Sequence, residues 1–189
     1  MTTFFDFVVP ACWITFIVFW IINAWRVKAT AEKQSVGSAL MHRIPLGISY
    51  ALMIARRLPS PLNLPITSHA DWARVTGDVV CVLGWSMTLW ARWTLAGNWS
   101  SDVTFKQGHE LIRRGPYRVV RHPIYAGILV MCLGTAVEIG RLHAWLAPPF
   151  MTVAFWIKLK QEERLLLRHF PAEYPAYQKQ VKALIPFLI

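Results

Sequence analysis

Five apolar runs, each closed by charged residues or by Gly and Pro, divide the chain. The first, Phe4 to Trp25, is apolar apart from Asp6, Thr15 and Asn23. It has the roughly 20 residues that a membrane-crossing helix needs. Arg26, Lys28 and Lys33 stop it. The second, Ile44 to Ala55, is short for a span, and lengthening it toward the N-terminus brings in His42 and Arg43. Val75 to Ala96 is the third, with Asp78 near one end and Arg92 near the other. Pro123 to Gly140 and Leu142 to Ile157 follow, separated by little more than Gly140 and Arg141, so they are expected to pair as an antiparallel helical hairpin. Pro148 and Pro149 should kink or start the fifth helix. Beyond Ile157 the spacing of Leu159, Leu165, Leu166 and Phe170 among Lys158, Glu162 and Glu163 predicts an amphipathic continuation to about His169. The expected fold class is therefore all-α, a polytopic membrane protein with five transmembrane helices.

Composition agrees with that reading. The chain has 189 residues, 55% hydrophobic and only 16% charged, and a soluble domain of this length would carry more charge. Ten Trp and ten Phe suit aromatic belts at two interfaces. The net charge of +10 does not point to nucleic acid, because the basic residues punctuate apolar runs instead of clustering on one face. They act as topology signals and as attraction to anionic membrane lipids. Cys12, Cys81 and Cys132 all lie inside apolar runs and are expected to be small packing residues. No basic segment or small-residue cleavage pattern precedes Arg26, so the first run is expected to be a retained span.

Orientation follows from counting cations. If the second run crosses the membrane, fifteen Lys and Arg share one side, while Arg56, Arg57, Arg74 and Arg141 lie on the other. If it does not cross, the bias largely disappears. The positive-inside rule therefore favours five spans, an outer N-terminus and a cytosolic C-terminus. Pro59, Pro61 and Pro65 make Leu58 to Asp71 an extended external connector. Ile185 onward is an apolar tail expected at the interface.

Candidate chemistry concentrates in GPYRVVRHPIYAG, Gly115 to Gly127, where two Pro and two Gly constrain the backbone that carries Tyr117, Arg118, Arg121, His122 and Tyr125. Arg92 with Asn98 and Trp99, and Lys158 through Tyr177, form two further groups on the same side. The imidazoles and carboxylates lack metal-ligand spacing, so no metal is expected. No Ser or Cys is paired with a base, and GxGxxG is absent. A polar, partly cationic cofactor fits what remains. Glu162 or Glu163 could take an ammonium, His122, Arg121 or backbone N–H groups a carboxylate, and Tyr117 and Tyr125 an adenine or a sulfonium. Taken singly, Arg92 can snorkel, the Arg cluster can meet headgroups, and the Glu pair can be a solvated face bridged to Lys158 or Arg168.

Taken together, WARWTLAGNWS, GHELIRRGPYRVVRHPIYAG, EERLLLRHFPAEYPAYQKQV and IPF resemble the isoprenylcysteine carboxyl methyltransferase family of integral membrane enzymes, also called phospholipid methyltransferase-like. The resemblance covers Trp90 to the C-terminus, and the N-terminal half matches in hydropathy only. It implies one domain over residues 1–189, with N-terminal spans in 1–89 and a catalytic and cofactor-binding core in 90–189. It implies S-adenosylmethionine as methyl donor, S-adenosylhomocysteine as product, and a cytosolic pocket. Cofactor contacts would fall on His109, Leu111, Ile112, Tyr117, His122, Pro123, Ile124, Tyr125 and Glu162. Arg92 and, where relatives have Arg, Lys158 would serve the substrate, with Arg92 and Glu162 as the catalytic pair. The partner would be a lipophilic or lipidated molecule entering from the bilayer, methylated on a carboxylate as in that family. Amine or thiol acceptors, a nicotinamide-dependent membrane reductase and a non-catalytic lipid-binding protein are the competing readings. His169-Phe-Pro replaces the eukaryotic Phe-Phe-Gly, which bears on substrate choice more than on cofactor binding.

Overall fold

The computed structural model describes residues 5–24, 28–33, 35–55, 58–67, 71–100, 103–106, 108 and 110–186. Six helices make up the fold: α1 (Phe5–Ala24), α2 (Val36–Ile54), α3 (Asp71–Leu95), α4 (Pro123–Ile139), α5 (Leu142–His169) and the short α6 (Glu173–Gln180). Two short strands, β1 (Thr30–Lys33) and β2 (Thr104–Lys106), pair antiparallel and are the one departure from all-α among the described residues. Helix α3 packs on α1 and α4, and α5 packs on α2 and α4.

The polar residues that made the second run look short are inside a helix. Helix α2 starts at Val36, where the Ser35 hydroxyl accepts the Ser38 N–H at 3.3 Å, and runs for 19 residues. His42 is tolerated because α5 gives it a partner, Gln161 Oε1 at 3.0 Å from Nδ1. Gln161 also donates to the Ser38 carbonyl, the Ser49 hydroxyl to Ala147 O, and His143 Nδ1 to Leu52 O. These bonds stitch α2 to α5 along its length, which removes the penalty for polar atoms away from water.

Pro148 and Pro149 lie inside α5 and do not begin it. The start is decided upstream, where segment 58–67 pairs with the α4–α5 turn. Leu142 N–H donates to Leu64 O and His143 N–H to Leu62 O, so two otherwise orphan N-terminal donors of α5 are satisfied. Gly140 closes α4 in the left-handed region at φ +66°, and its carbonyl accepts from Ile66 and Thr67.

Two ends of the bundle result. One holds segment 58–67 and the α4–α5 turn. The other gathers the C-terminal ends of α1 and α3, where Lys28 N–H donates to Gly97 O, with the start of α4. Within α1 and α3, Phe7–Ala24 and Asp71–Asn98 are long and apolar enough to cross a membrane, and Pro123–Ile139 is apolar but shorter. The outward face of α1 carries Phe7, Ile14, Ile17, Ile21 and Ile22, all more than half exposed, a surface suited to lipid.

Helices α3 and α4 touch backbone to backbone. A β-carbon at Gly84 would stand 2.5 Å from Gly127 O and 2.6 Å from Met131 N, and one at Gly134 would stand 2.6 Å from both Cys81 N and Gly77 O. Two glycines on each helix, two turns apart, thus interlock. Gly84→Ala and Gly134→Ala should each destabilise the protein by about 1–3 kcal/mol or more, as overpacking does. Gly47→Ala, with nothing within 4 Å, should be neutral or stabilising by up to about 1 kcal/mol. Thermal unfolding in detergent separates the two classes, and equal shifts for Gly84→Ala and Gly47→Ala would contradict the interlocked interface.

Candidate functional site

The constrained stretch upstream of α4 is held on both sides. Gly115 takes φ +58° and opens a 3-10 turn over Gly115–Arg118 that buries Tyr117, whose hydroxyl donates to Ala91 O at 3.4 Å. The Tyr177 hydroxyl donates to Tyr117 O at 2.6 Å. The chain then pairs with the C-terminal segment, Arg121 N–H donating to Lys182 O at 2.8 Å and His122 N–H to Ala183 O at 2.9 Å. His122 caps α4, and Pro123 occupies its first turn, where a missing N–H costs nothing.

This arrangement separates the two neighbouring glutamates of α5. Glu163 is 4% exposed and takes both Nε and Nη2 of Arg121, at 2.9 and 2.6 Å. The remaining Arg121 Nη1 donates to the carbonyls of Gln178 and Val181, so Arg121 is a buried clamp on the C-terminal segment. Glu162 faces the other way. Its Oε1 accepts the Tyr125 hydroxyl at 2.5 Å, and its Oε2 lies 3.6 Å from His122 Nδ1. His122 Nε2 sits 3.3 Å from Glu163 Oε1, so the imidazole bridges both carboxylates. Tyr125 stacks between His122, with ring centroids 5.5 Å apart, and Phe155, at 4.6 Å.

Burial works against charge on all three groups, and the mutual contacts win. The His122 imidazole is held above its ordinary value by the two carboxylates. Glu162 is held below the usual carboxylate value by His122, Lys158 and Tyr125, and Glu163 is brought down to about 2 by His122 and Arg121.

These groups line a cleft with a cavity volume of about 130 Å³. Leu95, Asn98, Trp99 and Thr104, from the end of α3 and the segment after it, line the same cleft. A smaller lobe, lined by Leu111, Ile112, Tyr174 and Tyr177, shares Tyr117 and His122 with it. Of the residues singled out from sequence, Tyr117, His122, Ile124, Tyr125 and Glu162 line the main cleft, and Leu111 and Ile112 the lobe. Pro123 is buried behind them. The Lys158 ammonium lies over the Tyr125 ring, 5.3 Å from its centroid. His109 lies outside the described residues.

Arg92 does not snorkel. It is 2% exposed, donates to Ala96 O at 2.8 Å and Asn23 O at 3.0 Å, and places its guanidinium 4.7 Å from the Trp99 ring centroid. It therefore ties the ends of α1 and α3 together and meets the cleft through Trp99. Sequence reasoning grouped Asn98 and Trp99 with Arg92 but gave them no role, and it passed over Thr104.

The profile of the isoprenylcysteine carboxyl methyltransferase (ICMT) family matches residues 78–168, which include most of α3, the whole 115–127 stretch and both glutamates. Over these residues the chain is similar to the isoprenylcysteine carboxyl methyltransferase family. It is 32% identical to a protein-S-isoprenylcysteine O-methyltransferase of Tribolium castaneum over 66% of this chain and 45% of that protein. It is 28% identical to the Homo sapiens protein of the same name, over the same shares. A probable protein-S-isoprenylcysteine O-methyltransferase of Oryza sativa is 28% identical over 76% of this chain and 75% of its own length. The match therefore spans less than half the length of the insect and human relatives and three quarters of the rice one. The family is membrane-associated, in keeping with the apolar outer face of α1.

The cluster carries a pH signature. Because the folded value of His122 is raised, its contribution to stability is complete below its ordinary 6.5 and fades as pH rises through the folded value. Because the folded values of Glu162 and Glu163 are depressed, theirs is complete above the ordinary 4.5 and fades as pH falls. The cluster is thus strongest between 4.5 and 6.5. The difference in Tm between the wild type and His122→Gln, scanned in detergent across that window and beyond it, should be widest inside it and narrow toward alkaline pH. A difference that grows with alkaline pH would contradict the assignment.

Proposed function

We propose that this protein transfers a methyl group from S-adenosylmethionine to the carboxylate of a lipophilic acceptor, an isoprenylcysteine C-terminus being the favoured class, at the cytosolic face of a membrane crossed by α1 to α5. The observation that carries this reading is Glu162, an anionic carboxylate that lines the cleft together with Leu95, Trp99, Ile124 and Leu165 and is fixed by Tyr125 and His122.

The residues present fit the cofactor. Glu162, held by the Tyr125 hydroxyl, is the partner for its ammonium, the Tyr117 side chain borders the space for the sulfonium or adenine, and Leu111, Ile112 and Ile124 are apolar walls. Tyr174, buried beside Tyr177, completes the lining of the lobe. His109 and Pro123 belong to the same shell by family resemblance. The cofactor supplies an electrophilic methyl group and leaves as S-adenosylhomocysteine.

The protein's part is to bind, align and exclude water, and well-oriented reactants can save about 7–11 kcal/mol of barrier. A carboxylate acceptor suits this site because it is already anionic at neutral pH and needs no base. An amine or thiol would need deprotonation, and the cluster offers no good acceptor for that proton. The two carboxylates beside His122 favour its protonated form against the effect of burial, and Glu162 is a weaker base than an ordinary glutamate. Arg92 would serve the acceptor by holding Trp99 in place, and Lys158 by adding positive charge beside Tyr125.

Removing one partner of a desolvated charged hydrogen bond costs about 2–5 kcal/mol, some 30-fold or more in affinity. Glu162→Gln should weaken S-adenosylmethionine binding by at least that factor in calorimetric titration, and unchanged affinity would move the cofactor elsewhere. For topology, single cysteines introduced as Leu62→Cys and Glu110→Cys, with the native cysteines replaced, should label from opposite sides of sealed vesicles. Labelling of both from one side would overturn the five-span arrangement.

A further inference from the structure

A second groove, of about 540 Å³, lies between the start of α2 and the last turns of α5. Residues three and four apart share one face of a helix, so Gln161, Arg164 and Arg168 line it together. Gln161 fixes that face toward α2 by donating to Ser38 O at 2.9 Å. Arg164 is exposed and makes no hydrogen bond or ion pair among the described residues. Like charges four residues apart on a helix repel each other, and no carboxylate is among the described residues that line this groove. An anion held between the two guanidinium groups turns that repulsion into attraction. Leu165 lines both this groove and the main cleft, so the two spaces adjoin.

The depth of the groove indicates where the anion comes from. On the same ridge of α5, Lys160 lies over the Trp156 ring, 4.8 Å from its centroid, and Trp156 is 39% exposed. Trp and a snorkelling Lys are the pairing found where the apolar core of a bilayer meets its headgroups. Four residues on, Arg164 stands about 6 Å further along the helix, which is the depth of the headgroup layer. On α2, Val36, Leu40, Ile44 and Ile48 follow one ridge of four-residue steps, and all are exposed. That ridge starts beside Ser35, at the groove, and leads a lipid tail away from it.

We propose that this groove binds the phosphate of an anionic glycerophospholipid, with Arg164 and Arg168 on its oxygens and an acyl chain on the α2 ridge. A planar guanidinium meets a phosphate through two parallel N–H bonds. The Ser35 oxygen already accepts the Ser38 N–H, which leaves its own hydrogen for the ligand. Zwitterionic lipids bring an ammonium that needs an anionic partner, and the lining supplies none. The site therefore selects headgroups of net negative charge. The bound lipid ties the start of α2 to the turns of α5 that follow Glu162. This inference takes only the membrane setting from the proposed function and uses no step of the methyl transfer.

The test is native mass spectrometry of the full chain, released from micelles that contain equal amounts of dioleoylphosphatidylglycerol and dioleoylphosphatidylcholine. Each cation facing an anionic lipid is worth about fivefold in binding, so the wild type should retain one phosphatidylglycerol with a preference of about 25-fold. Arg164→Gln should lose about fivefold of that preference, and Arg164→Gln with Arg168→Gln should bring the two lipids near parity. The single variant carries the test if the double one misfolds. Arg114→Gln with Arg118→Gln removes the same charge from exposed positions outside the groove and should leave the preference unchanged. Equal retention of both lipids by the wild type, or a loss as large in this control as in the groove variants, overturns the proposal. Displacement of the lipid by millimolar inorganic phosphate also overturns it and gives the groove to a free anion.

Discussion

The close backbone approach of α3 and α4 is the constraint on which the functional end of the molecule depends. With Gly77 and Gly84 set against Gly134 and Gly127, the helices cannot slide or separate without losing contact along their whole length. Because they run antiparallel, the C-terminal turns of α3 come to rest beside the start of α4. Tyr117 then reaches Ala91 O, and Leu95, Asn98 and Trp99 line one cleft with His122, Ile124 and Tyr125. Small residues at such a contact let dispersion and weak Cα–H···O bonds replace the hydrophobic driving force that lipid does not supply.

A second device works within that frame. Taking Arg121 and Glu163 out of water is expensive, and their attraction compensates only because nearly every donor and acceptor is used. Three nitrogens of Arg121 reach Glu163 and two backbone carbonyls, and strand-like pairing of 121–122 with 182–183 closes the segment. The result is a fixed backbone at the mouth of α4. With Glu163 committed to Arg121, its neighbour Glu162 is left to face the cleft.

The same economy of polar contacts favours one chemistry. Glu162, Glu163 and His122 are already engaged with one another, with Tyr125 and with Arg121, which suits an acceptor that arrives deprotonated. On the cleft itself, Asn98 Oδ1 and Thr104 Oγ1 are buried without a hydrogen-bond partner among the described residues. Arg92 illustrates the opposite case. Its charge is spent on Ala96 O, Asn23 O and the Trp99 ring, so it acts on the site through the shape of the wall it supports.

Much of this was legible in the residues. Helix periodicity, the Gly140–Arg141 link and the proline and glycine bounds of the 115–127 stretch are short-range features, and short-range sterics and capping settle them locally. They placed the α4–α5 hairpin and brought Tyr117, His122, Tyr125 and Glu162 into one region. Tertiary structure alone decided what depends on a partner far along the chain. Helix α2 begins at Val36 and not near Ile44 because Gln161 satisfies His42. Helix α5 begins at Leu142 because segment 58–67 takes its first N–H groups. Of two adjacent glutamates, one is buried because Arg121 and the C-terminal segment lie on its side of the helix. A polar side chain in an apolar run is neither allowed nor forbidden by its neighbours in sequence. Its cost is set by whether another element delivers a matching atom, and that is known only once the helices have packed.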